Sequence, residues 1–421
     1  MSTTKRRGNN QKGVNRYGKK PDIDKERLRT LLTGYNKRNI FEWDLMIELL
    51  ANEDPPITLS RSVFGKYKKE FKIGTSVMNP MSRAEKDAVV LEELAKDPLN
   101  KLGPRSIKER IGMTGTHIER HIVRSVMKAH APEAFQERHP ASKELHRTIL
   151  SSLGPDDEWS LDGHDKLNEA GFGIYGIRDK WSGKWLSARV VPSNRYAAVV
   201  GVIFLELVKE VGGVPLQVSS DRGSEIRDAY SFQQALRTHF APDLMDRLIP
   251  AWRMLPSPRN ITIERAWRPL FYKWGVTILH YWEKGPADGE YNGNLQLHRQ
   301  TANWMWFPLV QADLDQYTST CNAHRVRKQA NKSLPSKGTP NVFYTIPHKF
   351  DGKKCLIPVD TDIVDAILET MEEGRDLMRY VDADFEVLVE EAYAQIESPG
   401  INFENAWDIF RQLIDTLDPA I

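Results

Sequence analysis

The chain has 421 residues, 40% hydrophobic and 28% charged, a globular composition that is long enough for two or three domains. Its two cysteines, Cys321 and Cys355, are too few for a disulfide framework or a cysteine-rich zinc module, and no apolar run reaches the roughly 18 residues of a membrane span. Basic residues outnumber acidic ones by 30 to 19 in residues 1–150, whereas residues 381–421 hold 1 basic and 10 acidic residues, so the basic first part indicates binding to a polyanion.

Residues 1–20 contain seven basic residues and no acidic ones, which predicts a disordered basic arm. Such an arm acts as a solubilising tail, a nuclear import signal or a contact to phosphates, and the sequence leaves these three alternatives open. We expect the protein to be nuclear.

Residues 21–75 have a helical pattern with three predicted helices. The first helix is predicted to end near Gly34, and the last to begin at Ser60. Arg61, Lys66 and Lys68 lie opposite the apolar positions of the last helix, as they would in a helix-turn-helix that contacts DNA. A helical bundle with a solvated basic face is the alternative.

Residues 80–148 contain a second unit of this kind, again with basic positions such as Arg120 and Arg124 on the outer face of its last helix. His117 and His121 have the i, i+4 spacing of zinc ligands. No cysteine or nearby acid completes a zinc site, so we favour a surface or backbone-contact role for both histidines. Two tandem units strengthen the prediction of DNA binding.

Strand-like sequence begins at about residue 151. A short strand, "EWSLDG", precedes a hairpin joined at Ser182 and Gly183, and a helix then leads to the buried strand "VPLQVSS". Another helix and a loop through "AWRMLPSP" lead to the helix that contains Glu264. This order predicts a mixed α/β fold in which the strand after the crossover helix lies parallel to a neighbour.

Three acids fall where this topology would bring them together: Asp162 in the first strand, Asp221 at the end of "VPLQVSS", and Glu264 at the start of a helix. Each acid has a plainer interpretation. Asp221 suits a turn, Glu264 suits the helix dipole, and Asp165 is a rival to Asp162. Clustered carboxylates repel one another unless cations lie among them, and hard divalent ions such as Mg²⁺ take oxygen ligands.

These acids and their surroundings resemble the Asp-Asp-Glu core of retroviral integrases and transposases, and more closely the integrase-core proteins of transposon origin in fungi and animals. The matching blocks are "WSLDGHDKL", "SSDRGSE", "SPRNITIERAW" and a later set with Gln311, Asp313, Leu314, Asp315, Asn322, His324 and Arg325. The resemblance implies a ribonuclease-H-like fold and metal-dependent cutting and joining of DNA strands. Asp162, Asp221 and Glu264 would then bind two Mg²⁺ ions, with Mn²⁺ as a possible substitute.

The resemblance also implies the partners, which are the DNA ends of a mobile element, a target duplex and further copies of the chain. Expected DNA contacts, beyond the acids, are Arg61, Lys66, Lys68, Arg120, Arg124, Asn260, Arg268, His324, Arg325 and Arg327. The chain departs from retroviral integrases because both cysteines follow residue 320, which excludes their amino-terminal zinc domain. A catalytically silent DNA-binding protein derived from a transposon is the alternative function, and a nuclease acting on RNA–DNA hybrids is a third.

The predicted organisation is therefore a basic arm, two helical DNA-binding-like units, a ribonuclease-H-like integrase core and an acidic helical carboxyl-terminal region. The corresponding ranges are 1–20, 21–75, 80–148, 151–350 and 351–421. The acidic region is expected either to cap the core or to bind a protein partner. No part of the chain is expected to enter a membrane.

Overall fold

A computed structural model describes residues 23–132, 151–244, 246, 248–255, 260–328 and 333–418. The basic arm and the Ser257–Pro258 turn lie outside these residues, as do residues 133–148 of the second helical unit. None of the helices in the described ranges has the length and apolar character needed to cross a membrane.

The first helical unit consists of three helices: α1 (Lys25–Lys37), α2 (Trp43–Ala51) and α3 (Arg61–Glu70). The predicted end of α1 near Gly34 is wrong, because the next residue, Tyr35, is buried in the core and keeps the chain helical for another turn. A glycine inside a helix costs only about 1 kcal/mol, which burial of a tyrosine offsets. Val342 and Ile346, from far along the chain, complete this core.

The second unit consists of α4 (Arg83–Ala95), α5 (Pro104–Met113) and α6 (Arg120–His130). His117 precedes α6, so it does not share a helical face with His121, and the zinc spacing is not realised. Its ring is buried, lies beside the side chain of Asn36, and has a pKa lowered by burial and by Lys108. His117 therefore links the two helical units as an interior residue.

The central sheet contains five strands: β1 (Glu158–His164), β2 (Gly173–Asp179), β3 (Trp185–Val191), β5 (Gln217–Ser220) and β6 (Trp252–Met254). Their order is β3-β2-β1-β5-β6. β1 pairs antiparallel with β2, and β2 with β3, whereas β1 with β5 and β5 with β6 are parallel. This mixed sheet is consistent with a ribonuclease-H-like fold, and the parallel pairing predicted for β5 is confirmed.

The strand β6 lies where the sequence predicts a loop. It has only three residues, and of these only Trp252 is buried, so neither an apolar run nor an alternating pattern marks it. The strand is positioned by its neighbours, because Val218 and Ser219 of β5 pair with it and the Trp252 indole N–H donates to Ser220 Oγ at 2.9 Å.

Two helices cover one face of the sheet: α7 (Ala197–Val211), which ends at Gly212 with a φ of 71°, and α8 (Arg227–Phe240). Apolar side chains of α7 pack with Trp159 and Tyr175 from the sheet in one buried cluster. A small second sheet pairs β4 (Gly213–Val214) with β7 (Ile357–Pro358).

On the other face, α9 (Ile261–Leu270) runs into a π-helical turn at Phe271–Gly275 and then into α10 (Val276–Trp282) and the short α11 (Lys284–Ala287). Pro269 lies inside α9, where it removes a backbone donor, and the widened turn follows directly. Trp267, Trp274 and Trp282 are all buried, which confirms their predicted place in the core.

The long helix α12 (Gln296–Asn322) closes the edge of the sheet at β3. The Gln311 side chain accepts from Val190 N at 2.7 Å and donates to Ala188 O at 3.1 Å. The Asn322 amide does the same with the backbone of Trp185, at 2.8 and 2.9 Å. These two amides take the place of a further strand, so they satisfy backbone groups that would otherwise be unpaired at a sheet edge.

The short helix α13 (Pro340–Thr345) still lies within the range predicted for the core. The carboxyl-terminal region after residue 350 is helical, as predicted, with α14 (Thr361–Glu369), α15 (Glu372–Leu377), α16 (Ala383–Gln395) and α17 (Ala406–Leu417). Trp407 and Phe410 of α17 are buried in the same cluster as Trp306 of α12. The Trp407 indole N–H donates to Tyr281 O at 3.0 Å. The last helices therefore form part of the core around α12.

Candidate active site

The three acids singled out in the sequence line one cleft of about 480 Å³. Asp162 lies on β1, Asp221 directly follows the parallel strand β5, and Glu264 lies in the first turn of α9, which packs on β1 and β2. Parallel neighbours such as β1 and β5 end at the same sheet edge, so the fold itself brings their carboxyl ends together.

Asp162 is held in place by an indole. The Trp267 Nε1–H donates to Asp162 Oδ2 at 2.8 Å. Gly176 is opposite Asp162 in the β1–β2 register, and a Cβ on Gly176 would come within 2.6 Å of the Trp267 ring and 2.8 Å of Trp185. A glycine at this position therefore allows the indole to lie across the sheet and reach the carboxylate.

The electrostatics of the cleft are dominated by converging negative charge. The pKa of Asp162 is raised to about 7, mainly by burial; the hydrogen bond from Trp267 opposes this rise, and the charges of Glu264 and Asp221 contribute to it. Both neighbouring acids thus oppose ionisation of Asp162. A cation placed among the three would reverse that effect.

Beside Asp162, the buried imidazole of His164 also lines the cleft. The His164 ring stacks on Trp267, with centroids 4.8 Å apart and planes at 16°, and burial together with Lys166 lowers its pKa to about 4. The imidazole is therefore neutral at physiological pH. Strand alternation places His164 on the same face as Asp162, two residues earlier, and this signal could have identified it from the sequence.

Asp221 keeps the turn role that the sequence also allowed. Its Oδ1 accepts from Gly223 N at 3.2 Å, so the carboxylate shapes the turn after β5 while it faces the cleft. Glu225 follows, and its pKa is raised by burial and by the charges of Asp221 and Asp165. The rival acid Asp165 lines the cleft too, but it accepts from Asn194 at 2.8 Å and pairs with Arg195 at 3.2 Å.

The donor set fits a hard divalent cation, because it consists of carboxylate oxygens around a buried, charge-destabilised Asp162. Within the described residues, however, no group of three or more His, Cys, Asp or Glu side chains is arranged as a metal-binding cluster. The carboxylates thus share a cleft without forming a preassembled ligand set.

The basic residues predicted to contact DNA fall into different surroundings. Arg268 is exposed at the acid cleft, with its guanidinium 5.9 Å from the Tyr272 ring centroid. On α3, Lys66 is exposed, Arg61 pairs with Asp44, and Lys68 lies over the Trp43 ring at 5.6 Å, where burial lowers its pKa.

On the second unit, Arg120 and Arg124 of α6 are exposed, as predicted. Of the later segment, Arg327 is exposed, whereas Arg325 pairs with Glu42 and the half-exposed His324 contacts Glu109 at 2.5 Å. Arg325 and His324 therefore contact the two helical units as well as facing solvent.

Asn260 requires a correction, because the structure does not present it as a surface contact for DNA. It is buried, it precedes α9, and its Nδ2 donates to Leu161 O at 3.0 Å. The side chain fastens the start of α9 to β1, so it positions Glu264 relative to Asp162. Sequence reasoning missed this role because the partner lies 99 residues away.

Comparison with known families gives a match over residues 149–342 to a family model described as an integrase core domain. No curated protein matches the chain. The matched segment contains β1–β3, β5, β6, α9, α12 and all three cleft acids. The match supports an integrase- or transposase-related protein.

Proposed function

We propose that the chain is a polynucleotidyl transferase of the Asp-Asp-Glu type, which cuts and joins DNA strands and derives from a transposon. The observation that supports this most is the convergence of Asp162, Asp221 and Glu264 in one cleft, inside the segment that matches an integrase core domain. The order of strands, consistent with a ribonuclease-H-like fold, adds to it.

In this proposal Asp162, Asp221 and Glu264 would hold Mg²⁺, with Mn²⁺ as a substitute. Two such ions would supply stabilisation of the attacking and leaving oxygens in an in-line phosphodiester displacement. The attacking group is water in cutting and a DNA 3′-hydroxyl in joining. In either case the new bond forms at phosphorus as the old P–O bond breaks.

The other residues of the cleft position the acids or bind the DNA backbone. Trp267 fixes the rotamer of Asp162, and Asn260 fixes the start of α9. Arg268 and Lys166 are exposed at the cleft, where their charges suit phosphate oxygens on either side of the scissile bond. The neutral ring of His164 packs behind Asp162 without adding charge.

DNA is the proposed partner, both as element ends and as target duplex. The exposed basic residues of α3 and α6 are suited to phosphate contacts, and two helical units allow contacts outside the cleft. Joining two ends to a target requires more than one active site, so a homo-oligomer acting in the nucleus is part of the proposal.

A strand-transfer assay tests the proposal. The full chain is incubated with labelled duplexes that carry the terminal sequences of its own element, with Mg²⁺, with Mn²⁺ or with EDTA. We expect nicked and joined products only with metal, and their loss in Asp162→Asn and Glu264→Gln. A Glu390→Gln variant, which removes the same charge from an exposed position outside the cleft, serves as the matched control. Products that persist in both acid variants would refute the assignment.

A second candidate function is DNA binding without catalysis. Two findings favour it. The acids of the described residues are not arranged as a metal-binding cluster, and the Asp221 carboxylate already accepts a hydrogen bond from Gly223 N in the turn after β5. Gel-shift binding of equal strength with Mg²⁺ and with EDTA, together with intact strands in the assay above, would support this function. Strand breakage dependent on Asp162 would exclude it.

A further inference from the structure

We propose that a second cleft, on the opposite side of α9 from the three acids, binds a phosphate-bearing anion. This basic cleft has a volume of about 250 Å³ and lies between α5 of the second helical unit and the core. Its cations are Arg110, Arg178, Arg265 and Lys273, and Cys321 also lines it. The inference does not depend on catalysis in the acid cleft.

The two clefts share one helical segment. Glu264 and Arg268 face the acid cleft, whereas Arg265, Pro269 and Lys273 line the basic cleft. A step of one residue turns a helix by about 100°, and residues four apart lie on one face. The segment therefore presents one set of side chains to the acid cleft and a different set to the basic cleft.

Arg178, on β2, provides the strongest indication of a ligand. Its Nη1 donates to Thr262 O at 2.8 Å and its guanidinium lies 5.6 Å from the Trp185 ring centroid. Its buried Nε has no hydrogen-bond partner in the described part of the chain. That nitrogen is itself inaccessible from the cleft, but the buried charge of Arg178 has no carboxylate partner among the described residues and would be stabilised by an anion in the cleft.

The charges around the cleft are unbalanced. Glu109 is already in an ion pair with Arg105, at 3.0 Å, and the His324 ring contacts the other carboxylate oxygen. Arg110 likewise has a partner, Glu93, at 2.6 Å.

Three cations remain, since among the described residues neither Arg178, Arg265 nor Lys273 is in an ion pair with a carboxylate. One multivalent anion would satisfy all three at once. Phosphate suits these three cations, because a guanidinium can donate two parallel hydrogen bonds to a pair of phosphate oxygens, and each phosphate offers several acceptor oxygens. The volume admits a small polyphosphate or one stretch of backbone phosphate, and these two sources share the same chemistry.

Binding here would connect the second helical unit to the core. Arg110 belongs to α5, whereas Arg178 and Arg265 belong to β2 and α9. The Trp185 ring next to Arg178 packs on Trp267, with centroids 5.1 Å apart, and Trp267 holds Asp162. The bound anion would thus hold in place the pair of Trp185 and Trp267 that supports Asp162.

Calorimetric titration of the full chain with tripolyphosphate, in EDTA, tests the proposal without any activity readout. The test variant is Arg265→Gln/Lys273→Gln, whose cations are exposed and can be removed without opening the core. The matched control is Lys284→Gln/Arg299→Gln, which makes the same change in charge on exposed residues elsewhere. We expect affinity to fall about tenfold in the test variant and to change less than about twofold in the control.

Absence of binding to the wild type, or an equal loss in both variants, would overturn the proposal. A parallel titration with a short DNA duplex identifies the source. Weakening of both ligands in the test variant indicates backbone phosphate, whereas weakening of tripolyphosphate alone indicates a free phosphorylated molecule.

Cys321 gives an independent readout. In a Cys355→Ser background it is the single thiol of the chain, and it lines the basic cleft. We expect saturating tripolyphosphate to slow its modification by N-ethylmaleimide, and this protection to disappear when Arg265→Gln/Lys273→Gln is added. A modification rate that ligand leaves unchanged would contradict binding at this place.

Discussion

Replacement of Asp162 by Asn is expected to stabilise the folded protein at neutral and alkaline pH while it removes a proposed metal ligand. The side chains have the same shape, and an Asn oxygen still accepts from the Trp267 indole, as Asp162 Oδ2 does at 2.8 Å. What the substitution removes is a carboxylate whose ionisation is opposed by burial and by the charges of Glu264 and Asp221.

The magnitude follows from the pKa, which is raised from 3.8 to about 7. Between these values the folded protein binds the proton and the unfolded chain does not, so the free energy of unfolding falls as the pH rises through that window. Each pKa unit corresponds to about 1.4 kcal/mol, which gives a ceiling of about 4 kcal/mol. The difference between Asp162→Asn and wild type should grow from near zero at pH 4 towards about 2–4 kcal/mol at pH 8.

Urea unfolding in EDTA at several pH values between 4 and 8 measures this difference. Asp179 provides the control, because burial and Asp156 also raise its pKa to about 7. Its oxygens accept from Asp156 N and from the N–H and hydroxyl of Ser182, so Asp179→Asn loses acceptors and should be less stable than wild type at pH 4. Its stability relative to wild type should nevertheless rise between pH 4 and pH 8 by an amount similar to that of Asp162→Asn. A stability difference for Asp162→Asn that does not vary with pH would refute the reasoning.

Three further outcomes are expected. Glu264→Gln should abolish metal-dependent strand transfer while it changes the free energy of unfolding by at most about 1 kcal/mol, since it removes one charge from a helix start. Gly176→Ala should destabilise by about 1–3 kcal/mol and reduce strand transfer, because its Cβ would lie 2.6 Å from the Trp267 ring. Lys66→Gln/Arg120→Gln should flatten the dependence of log K on log salt for DNA by about 0.9 per lost phosphate contact, measured by fluorescence anisotropy.

Each of these predictions has a control or an outcome that would contradict it. Gly400→Ala places a Cβ in open space and should leave both stability and strand transfer unchanged. Normal products from Glu264→Gln would show that this glutamate serves only the helix dipole. An unchanged salt dependence in the double lysine and arginine variant would remove α3 and α6 from the DNA-binding surface.

Local patterns were sufficient to predict much of the fold. The hairpin joined at Ser182 and Gly183, the crossover helix and the parallel strand before Asp221 each depend on neighbours in sequence, and all were predicted correctly. The expectation that Asp162 and Asp221 lie in one cleft also followed, because the parallel strands β1 and β5 end at the same edge of the sheet.

What escaped prediction depends on partners that are distant in sequence. Gln311 and Asn322 were part of the family resemblance, but their pairing with the β3 backbone, more than 100 residues away, has no local signature. The same applies to the hydrogen bonds that Asn260 donates to Leu161 O and Trp267 donates to Asp162. Such side-chain contacts take the place of hydrogen bonds to backbone or solvent, and they change neither the composition nor the hydrophobic periodicity of the sequence. They therefore could not be predicted from either.

The shared core of α12 and α17 has a consequence for how the protein can be divided. A fragment ending at residue 342, where the integrase-core match ends, would strip Trp407 and Phe410 from Trp306 and leave α12 with an uncovered aromatic face. Such a fragment should aggregate or lose cooperative unfolding, whereas a chain continued to Leu417 should not. The smallest part of the chain expected to fold cooperatively is therefore longer than the segment that matches the integrase core, because the acidic carboxyl-terminal helices supply part of its core.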